Sequence, residues 1–255
     1  MVEISGGVTR SNKRGGRSGG RAARKALRSA PLAESLRPVR PGMEGGTYKP
    51  LKDVDVQKIY NAALNALETI GLSQAPQSGV QYMVNAGAVL GDDGRLRFPR
   101  SLVEDMLSIA AKEFTLFGRD EKYDMPLSGN KVYFGTAGAA VHIVDIENRE
   151  YRDSTSADLY KASQIAHALD NVHFFQRAMV CRDISDNFEM DINTLYACCA
   201  GTTKHVGTSF SEPSYVPSCF EFLHLLSGGE KDWKRRPFVS NSNCFVVPPM
   251  KFATE

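Results

Sequence analysis

A strand–helix repeat in the C-terminal half of the sequence constrains the fold more than any other feature. Phe174, Val206 and Phe238 stand 32 residues apart, each inside a short apolar run, and a helical pattern separates each run from the next. Repeats of this length are typical of βαβ units with parallel strands. A further apolar run begins at Val132, so the sequence predicts four units in an α/β fold. Their strands are expected near residues 132–136, 172–180, 204–210 and 237–246.

Two architectures are compatible with successive βαβ units. The first is a doubly wound open sheet, whose first strand–helix turn often carries a glycine fingerprint for a dinucleotide. The turn after the first predicted strand reads GTAGAA, residues 135–140, and it lacks the third glycine of that fingerprint. The second is a (β/α)8 barrel, which requires eight units. Four units would form only an incomplete half barrel.

The N-terminal half divides into two further segments. Residues 1–46 carry ten Lys and Arg against three Glu, a formal charge of +7, and are rich in glycine. Such a composition buries little apolar surface and predicts an extended or disordered basic arm. Residues 47–130 contain three helical patterns, of which Gly71 ends the first and Pro99 opens the third. We interpret them as an N-terminal helical cap that precedes the barrel units at 131–255.

The cysteine and histidine patterns bear on the compartment and on metal binding. The five cysteines are odd in number and include no CxxC pair. That pattern predicts free, buried thiols in a reducing cytoplasm rather than disulfides. The five histidines show no HxxxH or HxH spacing, so no metal site is predicted. No run of 18 apolar residues exists, and no membrane span is predicted.

Five stretches of the sequence resemble the trimethylamine methyltransferase superfamily, which also contains glycine betaine:corrinoid methyltransferases that lack pyrrolysine. They are GGRAARKALRSAPLAESLRPVRPGMEGGTYKPL, VYFGTAGAAVHIVD, LDNVHFFQRAMVCRD, LYACCAGTTKHVGTSF and RPFVSNSNCFVVPPMKFA. The stretches are long, keep the family's order, and run from the basic arm to the C-terminal residues. The resemblance therefore covers nearly the whole chain.

The resemblance implies a (β/α)8 barrel enzyme that moves a methyl group from a tertiary or quaternary amine, of the trimethylamine or betaine type, to the Co(I) of a corrinoid protein. It implies that the partner protein carries the corrinoid and that this chain binds no cofactor itself. Family members continue well beyond residue 255, and the pyrrolysine position of the trimethylamine-specific enzymes has no counterpart here. We therefore expect a fragment of a cytoplasmic methyltransferase that is a homo-oligomer at full length.

The candidate substrate-binding residues follow from the rule that barrel active sites lie at the carboxyl ends of the strands. A methylated cation needs aromatic faces, amides or carboxylates, and a site that excludes water. The residues selected at the four strand ends are Gly135, Thr136, Gln176, Ser209, Asn241 and Asn243. The polar run at 240–243 interrupts an apolar strand, and its alternative interpretation is a β-bulge. His173 and His205 open their strands, so we assign them to stability rather than to the site.

Two other functions are compatible with parts of the sequence. A nucleic-acid-binding protein could use the basic residues at 10–28, although no aromatic residues interleave there for base stacking. A barrel lyase would need a lysine at a strand end to form a Schiff base, and none of the four predicted strands carries one in that position. Nucleic acid is therefore not the expected partner, and no catalytic residue is assigned.

Overall fold

The structure, a computed structural model, describes residues 20–30, 32–241 and 246–253 of the chain. The chain divides into two compact units, Met1–Pro38 and Val39–Glu255, and each unit is described here by itself. The second unit contains all of the strands that are described below. It therefore also contains the described part of every predicted barrel unit.

The first unit contains a helix in the segment whose composition predicts a basic arm. Helix α1 covers Arg21–Ser29, and a 3-10 turn covers Glu34–Leu36. The last turn of α1 carries Arg28, where a cation complements the negative end of the helix dipole. Residues 1–19 lie outside the described part of the chain, so an extended or disordered arm stays a prediction there.

The first part of the second unit contains the three predicted helices. Its helices and strands are β1 Met43–Glu44, α2 Asp53–Thr69, α3 Gln77–Asn85, β2 Val89–Leu90, β3 Leu96–Arg97, α4 Arg100–Ile109, β4 Phe114–Leu116, β5 Met125–Leu127 and β6 Lys131–Val132. Gly71 follows α2 at φ +68°, in the left-handed region that helix C-termini favour, and Pro99 stands directly before α4. Both predicted helix boundaries are confirmed.

The second part of this unit alternates helices and strands. Its helices and strands are β7 His142–Val144, β8 Tyr151–Asp153, α5 Ser156–Ala168, β9 Phe174–Gln176, α6 Asn187–Gly201, β10 His205–Thr208, α7 Val216–Ser227, α8 Glu230–Arg235, β11 Val239–Asn241, β12 Val246–Val247 and β13 Lys251–Phe252. Strands β7 and β8 form an antiparallel hairpin, as do β12 and β13. A 3-10 turn at Pro213–Tyr215 precedes α7.

The central sheet is parallel, as the 32-residue repeat predicts. Strand β10 lies between β9 and β11, with the register pairs Val206–Phe175 and Val206–Val239. On the other side of β9, Gly135 forms a parallel bridge with Phe174. The four segments therefore lie side by side in chain order, which is the order that successive units of a βα barrel adopt. The prediction of parallel pairing is confirmed.

The strands are shorter than the sequence predicts. In the first predicted strand, Val132 belongs to β6, which pairs antiparallel with β1, and Gly135 makes only an isolated parallel bridge. The second, predicted at 172–180, ends at Gln176 because the backbone then turns to pair Met179 with Ala140. In the fourth, β11 is followed by residues 242–245, which are not described.

Helices α5 and α6 cover one face of the parallel sheet. Phe175 and Val206 are almost fully buried and share one core cluster with Leu159 of α5 and Leu195 of α6. Burying a side chain of this size stabilises the folded state by about 1.5–3 kcal/mol. The opposite face of the sheet carries the alternate residues of each strand. Because the helices occupy the first face, only the second face can contribute to the interior of a barrel.

The spacing of Thr155 with Asp158 and of Asp186 with Glu189 in the sequence predicts helix N-caps, and α5 and α6 begin at these residues. Thr155 and Asp158 form a capping box at α5, and Asp186 Oδ1 accepts a hydrogen bond of 2.9 Å from the Glu189 N–H at α6. Such caps stabilise a helix by about 1 kcal/mol. The Arg152 guanidinium also binds Asp158 and is the main cause that lowers the pKa of that carboxyl to about 2.

The segment around Trp233 corrects one expectation. The charged stretch GEKDWKRRP predicts a loop in which Trp233 is an anchor rather than part of a substrate cage, whereas the structure places Trp233 in the short helix α8. Acidic residues in the first turn and basic residues in the last turn complement the helix dipole, which explains the helix. Trp233 is buried, with its ring edge-on to Phe220 and Phe238 at centroid distances of 5.9 and 5.3 Å.

The fold is therefore of the mixed α/β class, and the strands of the described ranges form small sheets rather than a closed barrel. No described helix is long and apolar enough to cross a membrane. Four cysteines, Cys181, Cys198, Cys199 and Cys219, are buried and free, as predicted, and Cys244 lies outside the described residues. Burial raises the pKa of the Cys219 thiol to about 11, so this thiol is protonated at neutral pH.

Candidate functional site

The carboxyl edge of the parallel sheet brings two of the predicted segments together. Thr136 Oγ1 donates a hydrogen bond of 2.6 Å to the backbone carbonyl oxygen of Gln176. Gly135, which precedes it, faces Phe174, and a Cβ added at Gly135 would overlap the phenyl ring. The absence of a side chain at this glycine therefore permits the close approach. Thr136 and Gln176, selected from separate strands, lie next to each other.

Three residues share one level across the parallel sheet. Gly207 of β10 pairs in register with Gln176 of β9 and with Ser240 of β11. Residues at one level of a parallel sheet project to the same face, and this face is opposite to that of Phe175 and Val206. A Cβ on Gly207 would overlap the Gln176 side-chain oxygen. The Gln176 carboxamide therefore lies above Gly207, in the space between the two outer strands.

The other predicted site residues are not all found at the level of Gln176 and Gly207 in the parallel sheet. Asn241 pairs with Thr208, and alternation puts it on the helix-covered face rather than on the face of Ser240. Its side chain is exposed at the strand end, whereas Ser209, the first residue after β10, is half-buried. Asn243 lies outside the described residues. The site role of these three residues, like that of Gly135, Thr136 and Gln176, stays a prediction.

A buried histidine stands one level below Gln176 on the same face. His205 is 2% exposed and pairs in register with Phe174. Its Nδ1 lies 2.8 Å from the backbone carbonyl oxygen of Phe117, and its Nε2 lies 3.0 Å from Ser240 Oγ. Both ring nitrogens are therefore engaged. Burial lowers the pKa of this imidazole, while the Phe117 carbonyl raises it by a smaller amount.

His205 and Ser240 are missing from the residues that the sequence selects. His205 was assigned to stability because it opens a strand, yet strand alternation puts it on the same face as Gly207 and Ser209. Ser240 belongs to the polar run at 240–243, of which only the asparagines were selected. Tracing the period of two backward from Ser209 would have identified His205. The His205–Ser240 contact itself depends on the sheet register, which a single sequence does not specify.

The amino edge of the sheet carries a buried lysine. Lys204 is 2% exposed, and its Nζ donates to the carbonyl oxygens of Ala166, Leu169 and Val172 at 2.7, 2.8 and 2.5 Å. These acceptors lie at the end of α5 and in the turn that follows it. The lysine stands at the edge opposite to the carboxyl ends and serves as a helix cap. It therefore adds no support to a lyase that forms a Schiff base.

Comparison with known proteins decides the family. The family model for trimethylamine methyltransferase (MTTB) matches residues 17–255. The chain belongs to this family. The five sequence stretches resemble this same family, and the family match confirms their resemblance.

Curated members of the family are distant in sequence and much longer. A trimethylamine methyltransferase of Desulfitobacterium hafniense is 26% identical over 81% of this chain and 42% of its own length. One from Methanosarcina thermophila is 21% identical over 76% of this chain and 41% of its own length. A glycine betaine methyltransferase of Desulfitobacterium hafniense is 25% identical over 80% of this chain and 42% of its own length. The chain thus spans about two-fifths of the length of these relatives.

Three buried or half-buried histidines predict that the protein loses stability in mild acid. Burial lowers the pKa of His167, His173 and His205 below the ordinary value of 6.5. Between that value and the lower pKa of the folded state, the unfolded chain binds more protons, so the free energy of unfolding falls as the pH falls. Urea denaturation between pH 8 and pH 5 is expected to show a midpoint that is constant above pH 7 and decreases below it.

The His205→Asn variant serves as a control for this pH dependence, because its amide can still donate to the Phe117 carbonyl but does not titrate. Its urea midpoint is expected to decrease less steeply between pH 7 and pH 5 than that of the native protein. An unchanged slope in the variant would show that His205 does not contribute to the acid sensitivity.

Proposed function

We propose that this chain is part of an amine methyltransferase that transfers a methyl group from a tertiary or quaternary amine, of the trimethylamine or betaine type, to the Co(I) of a corrinoid protein. The observation that carries the proposal is the family match over residues 17–255. The relatives named trimethylamine and glycine betaine methyltransferases support the amine as methyl donor. The corrinoid acceptor follows from the family resemblance.

The proposal places the cobalt on a partner protein rather than on this chain. When the partner supplies it, a Co(I) corrinoid provides the nucleophile that takes the methyl group. This chain's own residues bind the amine, exclude water from it and hold its C–N bond in line with the acceptor.

The carboxyl edge of the parallel sheet is the proposed amine-binding surface. Thr136 and Gln176 meet there, and the Gln176 carboxamide lies over Gly207 on the face that the helices leave uncovered. The oxygen atoms of amide and hydroxyl groups carry partial negative charge, so they attract the positively charged methyl groups of a methylated ammonium ion. The amine nitrogen leaves with the electron pair of the broken C–N bond, so no nucleophile from this chain is needed.

We further propose that the four parallel segments belong to a (β/α)8 barrel. They occur in chain order from Gly135 to β11, and one sheet face is covered by α5 and α6. A barrel closes such a sheet on itself with its helices outside. The relatives, more than twice as long as the matched part, have enough additional chain for further units. The cytoplasmic location and homo-oligomeric state stay predictions.

The test is a methyl-transfer assay with the protein purified from the organism that produces it. Free cobalamin and a corrinoid protein, each reduced to Co(I), are incubated with trimethylamine or with glycine betaine. The expected result is loss of the Co(I) absorbance together with formation of the demethylated amine, detected by mass spectrometry. Retention of Co(I) with every methylated amine, while methyl iodide still consumes it, would reject the proposal.

Replacing Gln176 by alanine is expected to raise KM for the amine about tenfold, because one hydrogen-bonding or dipolar contact to a cation in a water-poor site is lost. The matched control is Gln164→Ala, since Gln164 is exposed on α5 and its side chain donates to the Tyr160 hydroxyl, away from the sheet. The control is expected to keep the native KM. Equal KM values for all three proteins would remove Gln176 from the site.

A further inference from the structure

The hydrogen-bonding state of His205 follows from its two partners. The Phe117 carbonyl oxygen, 2.8 Å from Nδ1, can only accept a hydrogen bond, so Nδ1 carries a hydrogen. Because the ring is buried, with a lowered pKa, it is neutral at pH 7 and its Nε2 holds a lone pair. Ser240 Oγ, 3.0 Å away, must therefore be the donor in the second contact. The Ser240 hydroxyl hydrogen is committed to His205.

This commitment determines what Ser240 can offer to another molecule. A serine hydroxyl has one donor hydrogen and two acceptor lone pairs. With its hydrogen on His205, Ser240 Oγ can act only as an acceptor toward anything else on its face of the sheet. Ser240 is half-buried, and it lies at the level of Gly207, across which the Gln176 carboxamide extends. An acceptor held in such a place favours a cation over a neutral molecule of the same shape.

We propose that Ser240 contacts the methylated ammonium group through its oxygen, and that His205 is a positioning residue which keeps the serine hydrogen turned away from the amine. This inference deepens the proposed function, on which it rests, by naming two further residues of the same site. Phe117 belongs to the arrangement through its backbone carbonyl, which selects the tautomer of the histidine. His205 itself is one level too low and too buried to serve as the contact.

The test measures discrimination between charged and neutral ligands rather than activity alone. Two ligands are titrated into the protein purified from the organism that produces it, and binding is followed by ligand-observed NMR. They are tetramethylammonium and tert-butanol, a compact uncharged molecule with three methyl groups. Ser240→Ala is expected to weaken tetramethylammonium binding about tenfold and to leave tert-butanol binding unchanged. His205→Met is expected to have the same effect, because the serine hydrogen is then free to turn toward the cation.

Two conservative variants separate positioning from a merely structural role. Ser240→Thr retains the hydroxyl, and His205→Gln offers a side-chain oxygen that can accept the serine hydrogen. Both are expected to keep at least half of the native preference for the cation. Thermal midpoints of all variants are recorded, since a loss of folding lowers binding of both ligands equally and leaves their ratio unchanged.

The outcomes distinguish this inference from the function on which it rests. A charged-to-neutral preference that is equal in the native protein, Ser240→Ala and His205→Met would overturn the inference, as would a native protein that does not bind tetramethylammonium. If methyl transfer to Co(I) persists in either case, the proposed function stands without these two residues. If methyl transfer is absent while the preference changes as expected, the site binds cations but the proposed reaction is wrong.

Discussion

Replacing Gly71 by alanine is expected to lower the free energy of unfolding by about 3–5 kcal/mol, as overlap with backbone atoms and left-handed strain act together. Gly71 is buried, follows α2 after one intervening residue and has a φ of +68°. A Cβ there would overlap the carbonyl oxygen of Leu96 and lie 2.8 Å from its carbonyl carbon. That oxygen also accepts a hydrogen bond from the Leu72 N–H. Moving the Leu96 carbonyl away from the new Cβ would therefore break the hydrogen bond that joins the chain after α2 to β3.

Gly94→Ala is the matched control for this substitution. Gly94 has a φ of +71°, nearly the same as Gly71, but no atom lies within 4 Å of an added Cβ. Only the left-handed conformation is penalised there, so the expected loss is about 1 kcal/mol. Urea denaturation of both variants separates the two causes. Equal losses would show that Gly71 is needed only for its backbone conformation and that the contact with Leu96 contributes nothing.

Replacing Lys204 by methionine is expected to lower the free energy of unfolding by about 2–4 kcal/mol, because three carbonyl oxygens lose a charged hydrogen-bond donor at a largely buried position. The ammonium group caps the C-terminal end of α5, where the last carbonyl oxygens of a helix have no partners within the helix. Methionine fills the same volume but cannot donate. The result is measured as a shift in the urea midpoint at constant slope.

Lys161→Met provides the comparison for Lys204→Met, because Lys161 is exposed on the same helix. Its substitution is expected to change the free energy of unfolding by less than about 0.5 kcal/mol. A Lys204→Met protein as stable as the native protein would mean that the burial cost of the ammonium group offsets all three hydrogen bonds. The cap would then contribute nothing to stability.

The sequence was sufficient for those features that depend on local chemistry. Thr155 and Asp158 form a capping box wherever a helix follows them, and the 32-residue repeat predicted parallel strands because each βα unit returns the chain to the same sheet edge. Gly71 was recognised as a helix end because only a residue tolerant of positive φ fits there. These features need no knowledge of distant contacts.

The strand bounds that were predicted wrongly and the site residues that were missed depend on sheet register and on long-range packing. The second predicted strand is shorter than expected because Met179 pairs with Ala140 rather than with β10. No local sequence pattern indicates this pairing. The His205 contacts with Phe117 and Ser240 join residues 88 and 35 positions apart. Only the assembled sheet brings them together, so sequence alone could suggest their face but not their partners.

The central claim is that a methylated amine binds on the face of the parallel sheet where Gln176 and Ser240 flank Gly207. The most direct measurement is an experimental structure of the protein purified from the organism that produces it, with tetramethylammonium or the natural amine substrate bound. The predicted result is ligand density with methyl carbons within about 4.5 Å of the Gln176 carboxamide and of Ser240 Oγ. Ligand density only elsewhere, such as in the apolar groove between α5 and the β7–β8 hairpin, would contradict the account.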